Sequence, residues 1–318
     1  MNQDVLNILI VGLGKVGMTY DLNGPSSQIL THTRAIDTWS EVTKFSVDVT
    51  GVDPDPETQE PLKKIFKSSQ WFASMELLEF EKSFDLAIIA TPISTIAFDT
   101  IQACERLNIK NVVIEKPAAK SLLELETLIS LPGADTNFIV GFPRPFLPSS
   151  NYLKERIQSF GEEQAWKVDI HYGGSVLNIL SHFLNLVEFL IEPFELESYK
   201  FDVNKYLIAI FKSETGRLEI RTHQYSKFND EKNEIFIAGP INISYTNSGR
   251  DFRIDEFQGS SKGDPVRIDC HEEISQMVGV FGNTYLRWAS SGVKSNFTYL
   301  TSSSLLETIR LAEAENVR

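Results

Sequence analysis

Cysteine is nearly missing from this chain. Its 318 residues include two, Cys104 and Cys270, which fall in different halves and have no metal-ligand spacing. That argues against a disulfide framework, gives no metal site and fits a reducing compartment. Long apolar runs are missing as well. No stretch approaches the ~20 residues that a membrane helix requires. The longest candidate, 176–191, is broken by Asn178, Ser181, His182, Asn185 and Glu188. The first residues, Met1-Asn-Gln-Asp-Val5, carry no basic stretch, and the apolar run after them is too short for a secretion signal. Basic charge is scarce: 30 Lys and Arg stand against 43 Asp and Glu, a net charge of −13 spread along the chain. A surface of that sign repels phosphate backbones, so nucleic acid is excluded as an expected partner. The expectation is a cytoplasmic protein with no membrane or nucleic-acid partner.

What is present is ordinary globular material, 42% hydrophobic and 23% charged, which suffices for a sizeable core. The length suggests about two domains. Over the first 145 residues short apolar runs alternate with helical patterns. Leu6–Val11, Phe45–Val52, Phe84–Ala90, Val112–Glu115 and Phe138–Phe142 read as strands. Thr31–Trp39, Glu57–Phe66, Ile96–Leu107 and Ser121–Leu131 read as helices. Strand and helix in alternation, with Val/Ile-rich strands that barely alternate in polarity, predict a parallel sheet covered on both faces.

The pattern changes at the proline-rich hinge Pro143-Arg-Pro-Phe-Leu-Pro148. A helix over 150–160, a strand over 166–172 and an amphipathic helix from Val176 to Ile191 follow. Strands at 206–212 and 217–223 flank Ser213-Glu-Thr-Gly216, a hairpin signal. Strands near 234–238, 241–245 and 252–257 continue the meander, and helices near 272–290 and 303–316 close the chain. The expected fold class is α/β: over 1–145 a parallel sheet with helices on both faces, and over 146–318 a second domain with an open, mostly antiparallel sheet.

Gly12-Leu-Gly-Lys-Val-Gly17 follows the first strand and fits the dinucleotide pattern. The first glycine permits a tight turn and the second lets backbone approach a pyrophosphate. The third allows close helix–strand packing. The same triplet can be a plain structural turn. Lys15 and Val16 belong to this cradle. Asp53 closes the second strand, where an acid accepts hydrogen bonds from the adenosine ribose and repels a 2′-phosphate. Asp55 adds to the repulsion, so NAD is expected over NADP; an Asp-Pro turn opener is the plainer reading of Asp53. Asp53 lies 41 residues beyond Gly12, against the usual ~20. The excess reads as a loop inserted over Met18–Thr31, with Thr31 as the new helix N-cap. That loop shapes a pocket or is passive decoration.

Two motifs end later strands, Ala90-Thr-Pro92 and Glu115-Lys-Pro117. Ligands of open α/β sheets bind at those strand ends, so Thr91, Pro92, Glu115 and Lys116 join the candidate cofactor residues. Lys116 is either a desolvated catalytic lysine or a surface lysine paired with Glu115. In this order the motifs resemble the Gfo/Idh/MocA oxidoreductases, the family of glucose–fructose oxidoreductase and inositol dehydrogenase. The likeness spans nearly the whole chain. Its second half follows the family's Gly-Gly stretch, then Asp, His and Asp, with Gly173-Gly174, Asn178, His182 and Asn185. Asn therefore stands at both Asp positions. After Thr91-Pro92 the chain has Ile93 and Ile96 where the family often has Asn and His.

The resemblance implies an N-terminal NAD-binding Rossmann domain over 1–145, a substrate-binding and oligomerisation domain over 146–318 that builds a homodimer or homotetramer through its open sheet, and an active site between the domains. Lys116 and His182 would face the nicotinamide, Glu115 its ribose, and the substrate would be a sugar, a cyclitol or a derivative. In that reading His182 takes the hydroxyl proton as hydride leaves, Lys116 steadies the alkoxide, and Asn178 orients substrate or histidine. Locally, Asn178, His182 and Asn185 form a polar stripe on one helix face. A pocket wall explains that stripe, and so does a buried, internally bonded histidine. Arg144 is a candidate substrate contact or a partner for an acid, and Tyr172 a candidate pocket residue. Two other functions fit the Asn replacements: a catalytically silent NAD or sugar binder, and an NAD-dependent epimerase or lyase with no net redox.

Overall fold

The computed structural model describes residues 5–25, 27–78, 83–131, 136–161, 163–204, 206–226, 232–248, 251–257, 266–269, 273, 275–292 and 298–316. Cys270 and the expected helix start near 272 lie outside them. The chain divides into two compact units: Met1–Pro143 with Ser275–Leu300, and Arg144–Ile274 with Thr301–Arg318. This corrects the sequence reading at one point. The helix Met277–Ser291 packs on the first unit, against α1 (His32–Thr43), although it follows the second unit in sequence.

The first unit is built on six parallel strands: β1 (Leu6–Val11), β2 (Val47–Val52), β3 (Gln70–Phe72), β4 (Leu86–Ile89), β5 (Asn111–Glu115) and β6 (Asn137–Gly141). Their order is β3-β2-β1-β4-β5-β6. The chain runs outward from β1 in one direction and then returns to run outward in the other. That reversal leaves a crevice at the carboxyl ends of β1 and β4. The register puts Val11 opposite both Val52 and Ile89, so these ends are level. β4 is buried along its full length, as two-sided covering by helices requires. β3 escaped the sequence reading because three residues carry no period.

The inserted segment has a defined structure. A single π turn, Lys15–Thr19, follows the glycine loop. The chain then leaves the helix path and resumes as α1, capped by the Thr31 side chain, which accepts from Arg34 N–H. Asp21, 1% exposed, staples the loop. Its carboxylate accepts from Leu30 N–H at 2.6 Å, Thr31 N–H at 3.0 Å and the Thr31 hydroxyl at 2.7 Å. Asp21→Ala strands these donors, which costs about 3 kcal/mol. Calorimetry should show the melting midpoint falling by several degrees; an unchanged midpoint would mean that the loop is held by other contacts.

The second unit carries eight strands: β7 (Trp166–Gly173), β8 (Glu195–Phe201), β9 (Leu207–Lys212), β10 (Leu218–Ser226), β11 (Lys232–Ala238), β12 (Asn242–Ser248), β13 (Asp251–Phe257) and β14 (Val266–Asp269). Their order is β14-β13-β12-β11-β7-β10-β9-β8. β7 and β10 are parallel and the other neighbours antiparallel. Burial alternates strictly along β10, so one sheet face is core and the other carries Glu219, Arg221, His223 and Tyr225. On that outer face His223 stacks on His171 with centroids 4.8 Å apart. Burial, and then the neighbouring His171, push the His223 imidazole below its ordinary range. β8 and β14, the two edges, were not read as strands; β8 is mostly exposed and polar and lacks an alternating apolar face.

The helix expected over 176–191 is also corrected. Residues Val176–Leu180 form a π turn, and α-helix begins only at Ser181, as α2 (Ser181–Leu190). Ser175 caps the π turn by accepting from Asn178 N–H, and Ser181 N–H reaches back to the Val176 carbonyl. The wider turn removes the α-helical i, i+4 alignment of Asn178 with His182. Among the described residues no helix is long and apolar enough to cross a membrane, and no cluster of three His, Cys, Asp or Glu could hold a metal ion.

Candidate functional site

The carboxyl ends of β1, β2, β4 and β5 open onto a cavity of about 850 Å³ within the first unit. Gly12, Gly14, Lys15, Val16, Asp53, Thr91, Pro92, Glu115 and Lys116 line it. Nine of the ten sequence-predicted cofactor residues therefore meet in one place. The tenth, Gly17, stands behind the wall and shapes it.

Each glycine of the loop has a different physical reason. Gly12 has φ +92°, and its N–H donates to the Val52 carbonyl at 2.8 Å. A Cβ on Gly17 would lie 2.1 Å from the Gly12 carbonyl oxygen. A Cβ on Gly14 would meet nothing within 4 Å, because Gly14 faces the cavity. The loop's backbone is thus bare on the cavity side and crowded on the sheet side, which is the form a phosphate cradle needs.

Asp53, 9% exposed, does more than the sequence suggested. One carboxylate oxygen accepts from Leu13 N–H at 2.7 Å, inside the glycine loop; the other accepts from Asp55 N–H at 2.9 Å. The side chain ties together two loops that border the cavity. Each oxygen retains a lone pair for a further donor such as a ribose hydroxyl. The Thr91 hydroxyl is buried and makes no hydrogen bond among the described residues, a group left over for a ligand to satisfy. These features fit a dinucleotide. Tyr20, from the inserted segment, also lines the cavity, is 61% exposed, and lies 6.0 Å from the Lys15 ammonium. Glu76 and Asp99 add two further acids to the wall.

β5 ends at Glu115, and the Lys116–Pro117 peptide that follows is cis. Glu115 accepts from Lys116 N–H at 3.3 Å, and from His32 Nε2 at 3.1 Å. His32 in turn meets the Tyr285 hydroxyl at 2.9 Å. Sequence reasoning missed His32, Tyr285 and Tyr20. The signal for His32 was its place just after an N-cap, but its partners lie 83 and 253 residues away.

The remaining predicted residues belong to the second unit. His182 is half-buried in the first turn of α2, and Asn178 is exposed on the π turn. Arg144 stacks on Phe183 at 5.0 Å and on Tyr245 at 5.8 Å, and it donates to the Tyr245 hydroxyl. Tyr172 and Asn185 depart from the expected pocket role. Tyr172 is fully buried on the core face of β7, where burial drives its phenol far above the ordinary range. Asn185 is buried too, and its amide donates to the Ser304 hydroxyl at 3.3 Å at the start of the closing helix Ser303–Asn316. Alternation along a strand fixes the first outcome, and helix–helix contact the second.

No family model and no curated sequence matches this chain. Solved structures do match, over nearly its full length. A Gfo/Idh/MocA family oxidoreductase from Vibrio cholerae superposes with a TM-score of 0.67 at 16% identity, over 97% of this chain and 96% of that one. The fold is that of the Gfo/Idh/MocA oxidoreductases. Levoglucosan dehydrogenase in complex with NADH and levoglucosan gives 0.73 at 12% identity, over 99% and 97%. The WlbA dehydrogenase of Bordetella pertussis, in complex with NADH and UDP-GlcNAcA, gives 0.71 at 13%, over 98% and 95%. The Gfo/Idh/MocA fold thus survives at identities where few individual side chains are shared.

Proposed function

We propose that this chain is an NAD-dependent oxidoreductase that moves a hydride between nicotinamide and a hydroxyl or keto carbon of a sugar, a cyclitol or a sugar derivative. The observation that carries the reading is the cavity where the bare glycine loop, Asp53, Thr91 and the Glu115-Lys116 pair converge. The cofactor supplies the hydride acceptor or donor. Gly12, Gly14 and Lys15 hold its phosphates, Asp53 its adenosine ribose, and Glu115 its second ribose. NAD is preferred over NADP because the Asp53 carboxylate, with Glu76 and Asp55 near the same wall, repels an added phosphate. Structures of the same fold hold levoglucosan and a UDP-sugar acid, which favours a polyhydroxylated substrate.

His182 takes or returns the hydroxyl proton, as imidazole can near neutral pH. Lys116 stabilises the negative charge that develops on the substrate oxygen. Asn178 and Arg144 orient the substrate, and the second unit's open sheet joins copies into a homodimer or homotetramer. The test is a fluorescence titration with NADH and NADPH, followed by a screen of sugars and cyclitols, plain and nucleotide-linked, for nicotinamide reduction. NADH should bind at least about tenfold more tightly than NADPH. A protein that binds neither removes the reading.

Asn178 supports a second reading, a silent binding protein, because an amide cannot take a proton. It predicts tight NADH binding with no absorbance change in the whole screen.

A further inference from the structure

Glu115 is joined within the first unit, in one hydrogen-bonded chain, by two residues that the function outlined above does not use, His32 and Tyr285. His32 is fully buried at the start of α1. Its Nε2 lies 3.1 Å from Glu115 Oε1 and its Nδ1 2.9 Å from the Tyr285 hydroxyl. The Glu115 side chain is 14% exposed and borders the cavity. Tyr285 is completely buried on the helix Met277–Ser291. That helix approaches α1 at backbone distance: a Cβ on Gly282 would lie 2.6 Å from the Ala35 Cβ. The close approach brings a residue from the far end of the sequence onto His32.

The roles in the chain follow from its two ends. An ionised carboxylate can only accept, so Nε2 carries the proton and donates to Glu115. With the ring's one proton on Nε2, Nδ1 accepts from the phenol. Burial, followed by the Glu115 charge, pushes the Tyr285 phenol far above its ordinary range, so it keeps its proton. The far end is sealed in the interior, which makes the chain a poor route for moving protons to solvent. It is well suited to fixing one carboxylate. Among the described residues, the other hydrogen bond to the Glu115 carboxylate comes from Lys116 N–H and is long, at 3.3 Å.

We propose that His32 and Tyr285 are positioning residues for cofactor binding. They clamp the Glu115 carboxylate in one orientation, which leaves its remaining lone pairs to accept from a hydroxyl of the bound dinucleotide. The proposal rests on the dinucleotide reading of the cavity. It also makes the cofactor site depend on the returning helix, so the site is incomplete until residue 285 is in place.

Tyr285→Phe removes one hydroxyl and keeps the ring packing. In ¹⁵N-labelled protein without cofactor, His32 should show a protonated Nε2 and an unprotonated Nδ1, and Tyr285→Phe should blur that distinction. The variant should weaken NADH binding about three- to tenfold, the worth of one hydrogen bond. Glu115→Gln should weaken it as well. On the Glu115→Gln background, Tyr285→Phe should add little, because the two act through one group. His32→Gln, checked for folding by its melting curve, should resemble Glu115→Gln. Equal weakening by Tyr285→Phe in both backgrounds, or none in either, would overturn the assignment. A parent protein that binds no NADH would remove the dinucleotide reading and this one together. A parent that binds NADH while Tyr285→Phe binds it equally well would remove this one alone.

Discussion

Gly17→Ala should cost this protein its NADH binding, with a dissociation constant raised at least about a hundredfold. The added methyl would sit 2.1 Å from the Gly12 carbonyl oxygen, well inside contact distance. The obstacle is backbone, so no rotamer change relieves it. Gly12 cannot retreat, because a Cβ-sized volume on its other side is filled by the Ala90 carbonyl at 2.6 Å, and its N–H is held by Val52. The π turn Lys15–Thr19 must therefore swing outward, and the Leu13–Asp53 bond that ties the loop to β2 goes with it. Overpacking of this kind costs about 1–3 kcal/mol in stability. Gly14→Ala is the matched control, since its methyl would meet no protein atom. It should melt like the parent and lose NADH affinity, because the methyl enters the cavity. A Gly17→Ala protein that binds NADH like the parent would show that the tight turn does not form the cradle.

The same loop shows what a sequence can reveal. Gly12, Asp53, Thr91 and Glu115-Lys116 each follow a strand, and strands at regular spacing in a parallel sheet must deliver their ends to one side. Their meeting was therefore legible from order alone. The insertion was legible as an excess in spacing, and Thr31 as a cap, because capping is local chemistry. What could not be read were contacts between distant segments. Tyr285 reaches His32 because the chain leaves the first unit at Pro143 and returns at Ser275, and no local pattern announces a return. The π turn at Val176–Leu180 was invisible for another reason. Its apolar spacing fits an α-helix equally well, and only the hydrogen bond from Ser181 back to Val176 distinguishes them. Tyr172 and Asn185 were read as pocket residues by analogy of position, yet strand alternation and the joining of two helices turned both inward.

Lys116→Met and His182→Ala should each lower kcat by about two to four orders of magnitude on whichever substrate the screen identifies, the usual share of general acid–base assistance. Lys116 lines the cavity at the end of β5, and methionine keeps most of its apolar stem while removing the ammonium. NADH affinity should therefore stay within about threefold of the parent, since the loss falls on the chemical step. His182 is half-buried in the first turn of α2, where alanine is a good helix former, so folding should survive. If the two groups serve one proton transfer, the double variant should fall little further than the worse single one. Additive losses would assign them to separate steps. Unchanged turnover in both would remove the acid–base mechanism while leaving the cofactor cavity intact. If the screen finds no turnover in the parent, Asn178→Asp decides between a transient use of NAD and a binding protein. A carboxylate at that position restores a group able to hold a proton, so turnover that appears only in Asn178→Asp would identify the parent as a silenced member of its fold.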